Sequence, residues 1–279
     1  MKYVLAISGG VDSCVLLDMI AKGLFHNLCI ENVIVAHFDH GIRKESVADS
    51  EFVKKLSNKY KIKSVFGKKE LGENASEDLA RQARYEFLRS IAVKESAKII
   101  TAHHQDDLLE TIVMNILRGT NWRGLTPMWS SDIERPLIRK TKSDLIEYAI
   151  KNKLEWAEDE TNFSAKYFRN RIRNVVYRAK PEYRNELIKL YEKQKTVRNE
   201  VEDILKNKHT IIEKRDLVTL PNSIAIEVLR KWTDEKITYP QLKRLLSSIK
   251  ATNGGIDIQP GGGLVVSLRK NKLTLKKLN

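Results

Sequence analysis

Two short stretches carry most of the reactive side chains of this sequence. "TAHHQDDLLETI" (101–112) gathers His103, His104, Asp106, Asp107 and Glu110, a composition that suggests a metal site. The spacing argues against one. Adjacent histidines in an extended chain point to opposite faces, and neither H-E-x-x-H nor another pair of histidines four apart is present. Wound on a helix at about 100° per residue, the stretch from 106 to 118 separates into two faces. Leu108, Leu109, Ile112, Val113, Ile116 and Leu117 fall on an apolar arc; Asp107, Glu110, Thr111, Met114 and Arg118 fall opposite. Carboxylates three apart share a face and suit a primary ammonium, which offers three donors and a point charge. A solvated acidic helix start, with Asp106 as its cap, is the plainer alternative.

The second stretch, "SGGVDS" (8–13), follows the apolar run "YVLAIS" and opens the helically spaced "DSCVLLDMIAKGL". Strand, glycine turn and helix in that order make a phosphate loop. Gly9 and Gly10 let the backbone approach an anion, Val11 starts the helix, and Ser8, Ser13 and the helix N-terminal N–H groups supply donors. Asp12 repels phosphate unless a cation intervenes, and magnesium bridging Asp12 and a polyphosphate resolves the conflict. An ordinary turn with Asp12 as helix cap is the alternative. Neither Walker A nor G-x-G-x-x-G occurs.

The elements that must position these groups alternate. Apolar runs at 3–8, 32–39, 63–67 and 97–104 read as strands, and amphipathic stretches at 50–60 and 76–96 as helices. The alternation predicts an α/β fold with a parallel sheet, in which ligands bind beyond the C-terminal strand ends. Ser8, Asp39 and His104 close three of the runs, which brings their loops to one edge. Residues 135–154 read as a strand-end proline followed by a helix. From about 182 to 213 the pattern is helical and highly charged, as one linker helix or a helical hairpin. Short helices at 223–232 and 238–250 and an apolar alternation across "GGLVVSLRKNKLTLKK" predict a small α+β unit ending in a β-hairpin. The boundaries fall at 1–181, 182–215 and 216–279.

Charge is distributed unevenly. The net charge is +14. Residues 1–163 hold 24 Lys and Arg against 24 Asp and Glu, 164–198 hold 11 against 3, 199–265 hold 10 against 9, and 266–279 hold 5 against none. Two concentrated basic segments are what a phosphate backbone recruits, although a lysine-rich solvated surface gives the same counts. Cys14 and Cys29 are the only cysteines, without C-x-x-C spacing; both read as reduced packing residues, and no zinc site or iron–sulfur cluster is expected. Apolar runs too short for a membrane span or a signal segment place the protein in the cytoplasm, with no membrane partner.

Ser8 to Ser13 resembles the loop of the PP-loop ATP-pyrophosphatases, which cleave ATP between its α and β phosphates and activate a substrate oxygen as an adenylate. "HFDHGIRKES" (37–46), "ARQARYEFL" (80–88), "AHHQDDLLETIVMNILRGTNWRGL" (102–125), "RPLI" (135–138) and "DETNFSAKYFRNRIR" (159–173) resemble, in order, the further signature blocks of the tRNA(Ile)-lysidine synthetases. The resemblance covers most of residues 1–175. It implies a catalytic PP-loop domain, a helical linker and a small tRNA-binding domain. It also implies a two-step ligation: ATP adenylates the 2-oxo group of the wobble cytidine of a tRNA(Ile) with a CAU anticodon, and the ε-amine of free L-lysine then displaces AMP. Reading of AUG thereby changes to AUA.

The co-substrates implied are ATP, L-lysine and Mg2+. In the resemblance the acidic residues of the fourth strand's loop hold lysine, which makes Asp107 and Glu110 candidates. Asp39 is placed to orient ATP or the amine, or is a strand-end turn residue. Arg84 and Arg118 are the cations best suited to steady phosphate or adenylate, Arg118 preceding the Gly-bounded loop "GTNWRGL". His103 or His104 contacts nucleotide, His103 being the assigned ligand. Arg169, Arg171, Arg173, Arg178 and Lys180 interleave with Tyr167, Phe168 and Tyr177 as an RNA surface, with Tyr167 and Phe168 equally suited to a core. Longer members of the family carry a further C-terminal domain that this sequence does not contain, so recognition of the acceptor arm is expected to be reduced or rearranged. A homodimer stays open. A PP-loop thiolase or amidating synthetase lacks its cysteines or ammonia source here, and a non-catalytic RNA-binding protein has no need of Asp12, Asp107 and Glu110 together.

Overall fold

A computed structural model describes residues 1–41, 46–72, 75–157, 168–206 and 212–277. The chain divides into two compact units, Met1–Lys195 and Thr196–Asn279. The long helix α7 (Pro181–Lys206) runs across this division as one helix, without the hairpin that the charged pattern also allowed.

The first unit is built on five strands, β1 (Lys2–Ala6), β2 (Val33–Asp39), β3 (Ser64–Lys68), β4 (Ala97–Ile100) and β5 (Ile133–Glu134). They form one parallel sheet in the order β3-β2-β1-β4-β5. The connecting helices are α1 (Val11–Ala21), α2 (Ser46–Lys59), α3 (Glu77–Glu95), α4 (Gln105–Leu117) and α5 (Lys142–Lys151). The α/β class and its parallel sheet are as the alternation predicts. β1 shows why its run is apolar throughout: Tyr3 and Leu5 pack among Leu16, Val53 and Leu145 of α1, α2 and α5, while Val4 packs among Tyr85, Leu88 and Ala92 of α3. A strand buried on both faces cannot alternate with polar residues.

β2 and β3 lie to one side of β1, β4 and β5 to the other. The winding therefore reverses between β1 and β4, and the loops leaving these neighbours diverge into a crevice at the C-terminal edge. β4 ends at Ile100, earlier than its apolar run, and β5 is too short, at two residues, to show a period of its own. Within α4, Leu108, Leu109 and Ile112 are buried as the helical arc predicts, but Ile116 and Leu117 are 45 % and 62 % exposed. The last turn of α4 runs past the residues it packs on. Helix α6 (Phe168–Arg178) buries Ile172 and Val176 against Leu109 of α4.

The second unit holds α8 (Lys214–Thr219), α9 (Asn222–Trp232) and α10 (Tyr239–Ala251) with β6 (Ile212–Glu213), β7 (Ile256–Gly261), β8 (Leu264–Arg269) and β9 (Lys272–Lys277). The terminal hairpin β8–β9 is part of a four-stranded antiparallel sheet in the order β6-β9-β8-β7. Its buried face packs Val266, Leu268 and Leu273 on Leu229, Leu242 and Ile249, and the opposite face of β9 presents Lys272, Thr274 and Lys276. Among the described residues no helix is long and apolar enough to cross a membrane.

Leu16, fully buried between sheet and helices, gives a direct check on the first core. Leu16→Ala is expected to lower unfolding stability by about 2–5 kcal/mol, read from the urea midpoint at unchanged slope; a loss below about 1 kcal/mol would show that this core is loosely packed.

Candidate active site

The loop after β1 takes the shape its glycines allow. Gly9 has φ +96°, a conformation side chains rarely adopt, and its carbonyl accepts the Ala157 N–H at 3.0 Å. Gly10 is the extended N-cap of α1 and contributes no side-chain cap, so the first-turn N–H groups lack a capping side chain. Ser13 Oγ donates to the Gly10 carbonyl at 2.9 Å, Ser8 Oγ lies 3.3 Å from Ser13 Oγ, and the Gly10 N–H donates to Ser8 Oγ at 3.3 Å. Val11 begins the helix. Cys14, next in line, donates to the Gly9 carbonyl, and burial pushes its thiol up to about 12. It is a packing residue as expected, whereas Cys29 is exposed and corrects that reading.

The loop after β4 meets this one across the crevice. His104 is the N-cap of α4: its Nδ1 accepts the Asp106 N–H at 3.3 Å, while Asp107 Oδ2 accepts the His104 N–H at 3.0 Å. The cap is thus shared between His104 and Asp107 rather than made by Asp106. His104 Nε2 lies 3.7 Å from Asp12 Oδ2 and 3.5 Å from Asp107 Oδ2. Three carboxylates around one imidazole need compensating charge. Lys142 Nζ donates to Asp12 Oδ1 at 2.7 Å, the Lys142 N–H donates to Asp106 Oδ2 at 2.7 Å, and Arg184 pairs with the other Asp106 oxygen. Lys142 stands there because Thr141 and Asp144 form a capping box that starts α5.

Protonation follows from these contacts. Burial opposes charge on both Asp106 and His104 but is outweighed: His104, Lys142 and Arg184 hold Asp106 well below the usual carboxylate range, and Asp106, Asp107 and Asp12 hold His104 above the usual imidazole value. The capping bond from Asp106 needs Nδ1 unprotonated, so the cap and the surrounding carboxylates compete for that ring. His103 goes the other way. Its Nδ1 is 2.8 Å from Thr101 Oγ1, and desolvation, followed by Arg135, Arg81 and Arg84 against the opposing pull of Asp107, depresses it to about 3.

The two carboxylates proposed for an ammonium are differently engaged. Asp107 belongs to the crevice, whereas Glu110 is only 2 % exposed and accepts from Arg173 Nε of α6 at 2.9 Å. The helical wheel shows the shared face of Asp107 and Glu110 but not α6, which covers part of it. Asp39 is buried at the end of β2 and accepts the Gly41 N–H at 2.7 Å, the geometry of a strand-end turn. Arg84 reaches the surroundings of His103. Arg118 is the exposed C-cap of α4, about 16 Å along the axis from Asp107 at 1.5 Å per residue. Arg171, Arg178 and Lys180 are exposed, with Tyr177 75 % and Tyr183 66 % exposed among them. Tyr167 lies outside the described residues, as do the side chains of Phe168 and Arg169. His104 and Asp106, which sequence reasoning offered as a nucleotide contact and a cap, are joined here by Lys142 and Arg184, and Arg81 and Arg135 act on His103; these four cations sequence reasoning did not assign.

This geometry is that of a nucleotide-binding α/β domain, and residues 1–180 match the PP-loop domain family, to which the chain belongs. Along the sequence it is similar to the tRNA(Ile)-lysidine synthase of Thermotoga maritima, 39 % identical over 61 % of this chain and 43 % of the relative. It is also similar to those of Thermosipho africanus, 30 % identical over 89 % and 61 %, and Pseudothermotoga lettingae, 28 % identical over 92 % and 62 %. The chain thus spans between about two fifths and three fifths of the length of these relatives. Among solved structures, a U34-tRNA thiolase from Methanococcus maripaludis with its 4Fe-4S cluster shares the fold at TM-score 0.59, with 15 % identity over 71 % of this chain and 72 % of that one.

His103 predicts an acid limb in stability. A histidine held at about 3, against 6.5 ordinarily, stabilises the folded chain fully above pH 6.5, and this contribution is lost as pH falls toward 3 because the unfolded chain binds the proton first. His103→Asn should therefore flatten the decline of Tm between about pH 6.5 and pH 4; unchanged, parallel profiles would contradict the assignment.

Proposed function

We propose that this chain is an ATP-dependent carbon–nitrogen ligase, a tRNA(Ile)-lysidine synthetase acting in the cytoplasm. It joins free L-lysine to C2 of the wobble cytidine of tRNA(Ile) with a CAU anticodon. The observation that carries this reading is the junction of Asp12, from the phosphate loop, with the α4 cap residues His104 and Asp107 at the winding reversal. A nucleotide loop beside an acidic helix start brings a polyphosphate and a cation into one crevice. The curated relatives named above are all tRNA(Ile)-lysidine synthases.

In the first step the cytosine 2-oxygen attacks the α-phosphorus of ATP and diphosphate leaves. Ser8 to Ser13 and the α1 N-terminus hold the phosphates. The second step forms the C2–N bond to the lysine ε-amine and breaks the C2–O bond, so that AMP departs with the oxygen. Asp107 takes the substrate ammonium, and Glu110 contributes only as far as Arg173 shares it. Asp39 and His103 line the nucleotide edge with Arg84, while Arg118 serves the Gly-bounded loop at the far end of α4. The Asp12 carboxylate, 30 % exposed and paired with Lys142 Nζ at 2.7 Å, offers the oxygen ligand that a hard divalent ion such as magnesium takes. When bound, that ion would neutralise polyphosphate charge. Arg171 and Arg178, exposed on α6, take the RNA, Arg169 of the same basic segment remains assigned to it from the sequence, Arg173 is held by Glu110 instead, and the small unit with its lysine-bearing β9 holds the rest of the tRNA.

With ATP, magnesium and radiolabelled lysine, the purified protein should label tRNA(Ile) bearing CAU. No labelling, or equal labelling of a tRNA bearing UAU, would overturn the reading. Replacing the exposed Arg171 and Arg178 by Ala should weaken tRNA binding and reduce the slope of log affinity against log salt by about one to two; an unchanged slope would give these arginines a structural role.

A further inference from the structure

Lys142 carries a charge that its own helix does not need. It is the first residue of α5, where the open N–H groups are partly positive and a cation is disfavoured. The capping box of Thr141 and Asp144 already closes that end, so the ammonium serves Asp12 and not α5. Its main chain is fixed. The Lys142 N–H donates to Asp106 Oδ2 at 2.7 Å, the nearby Lys140 carbonyl accepts the Gln105 N–H at 2.8 Å, and Tyr148 Oη donates to Asp18 of α1 at 2.8 Å. These bonds pin α5 beside α1 and α4 and leave the four-carbon stem of Lys142 as the part able to swing.

Two ion pairs of this region differ in how readily they part. Glu110 is only 2 % exposed where it meets Arg173, and opening that pair would strand a buried carboxylate. Lys142 and Asp12 are 41 % and 30 % exposed. Water competes for both, and such a pair is worth at most about fivefold in an equilibrium constant. It nevertheless engages Asp12 Oδ1 at 2.7 Å, while Oδ2 is 3.7 Å from His104 Nε2. Lys142 is thus the near cation on the carboxylate that the reading above gives to magnesium. A carboxylate cannot serve both fully, because the metal takes its oxygen directly and the two positive charges repel. We propose that Lys142 is the resident cation of Asp12, neutralising it while no polyphosphate is bound and yielding it to the magnesium ion that arrives with ATP. The loop is then a poor site for the metal alone, and the added charge of the polyphosphate tips the exchange, so that ion and nucleotide enter together. This rests on the nucleotide and magnesium part of the reading above and is independent of lysine and tRNA.

The test follows Tm against magnesium chloride, without nucleotide, in the unaltered protein and in Lys142→Gln and Lys142→Met. Neither substitution touches the main-chain bonds or the capping box, so α5 should start as before, and an unchanged circular dichroism spectrum checks this. In both variants the half-saturating magnesium concentration should fall by about fivefold. Lys142→Arg, which keeps the charge, should show no gain, and adding Asp12→Asn to Lys142→Gln should abolish it. The exchange is overturned if the neutral variants bind magnesium no more tightly, if Lys142→Arg gains as much as they do, or if the gain survives without Asp12. ATP binding to the unaltered protein that does not respond to magnesium would refute the underlying reading rather than the exchange.

Discussion

Three carboxylates packed around one imidazole set the terms for the rest of the first unit. Asp12, Asp106 and Asp107 come from the first turns of two different helices, α1 and α4, each within 3.7 Å of His104. Mutual repulsion would drive them apart in a partly desolvated crevice without cations and N–H groups aimed at them. Lys142 of α5, Arg184 of α7 and the α4 cap supply those, so the starts of α4 and α5 and one turn of α7 are tied to the phosphate loop. The sheet makes this junction possible. Only between β1 and β4 do neighbouring strands feed connections that part, and only there can a loop glycine, a helix cap and a lysine from the next helix meet.

That arrangement separates charge along the sheet edge. The glycine loop lies between β1 and α1, the carboxylates sit at the reversal, and Arg81 and Arg84 of α3 with Arg135 after β5 act on His103. The carboxylates beside the glycine loop suit the proposed reaction, which brings together a polyphosphate and an ammonium. The opposed protonation of His103 and His104 has the same origin. One ring is desolvated among guanidiniums, the other surrounded by carboxylates.

Local patterns made the strands, the glycine loop and the α4 start legible, because each depends on near neighbours: Gly9 needs a positive φ, and Asp107 closes a cap three residues back. What escaped depends on contacts distant in sequence. Lys142 meets Asp12 across 130 positions, Arg184 meets Asp106 across 78, and Arg173 covers Glu110 across 63. No periodicity encodes such pairs. The helical wheel thus put Asp107 and Glu110 on one face and missed that Arg173 of α6 pairs with Glu110. Two-residue β5 escaped for another reason: it is held by pairing with β4 rather than by a pattern of its own. The clustering of 11 basic residues against 3 acidic ones in 164–198 was readable, but the reassignment of Arg173 from RNA to Glu110 was not.

The central claim is that the reversal between β1 and β4 holds a substrate amine at Asp107 beside, and distinct from, the nucleotide loop. Calorimetric titration of L-lysine and of ATP into the unaltered protein and into Asp107→Asn tests it most directly. The account predicts that the variant loses lysine binding by at least about tenfold and binds ATP as before. Loss of ATP binding with lysine binding intact would contradict it and would place Asp107 in the nucleotide site.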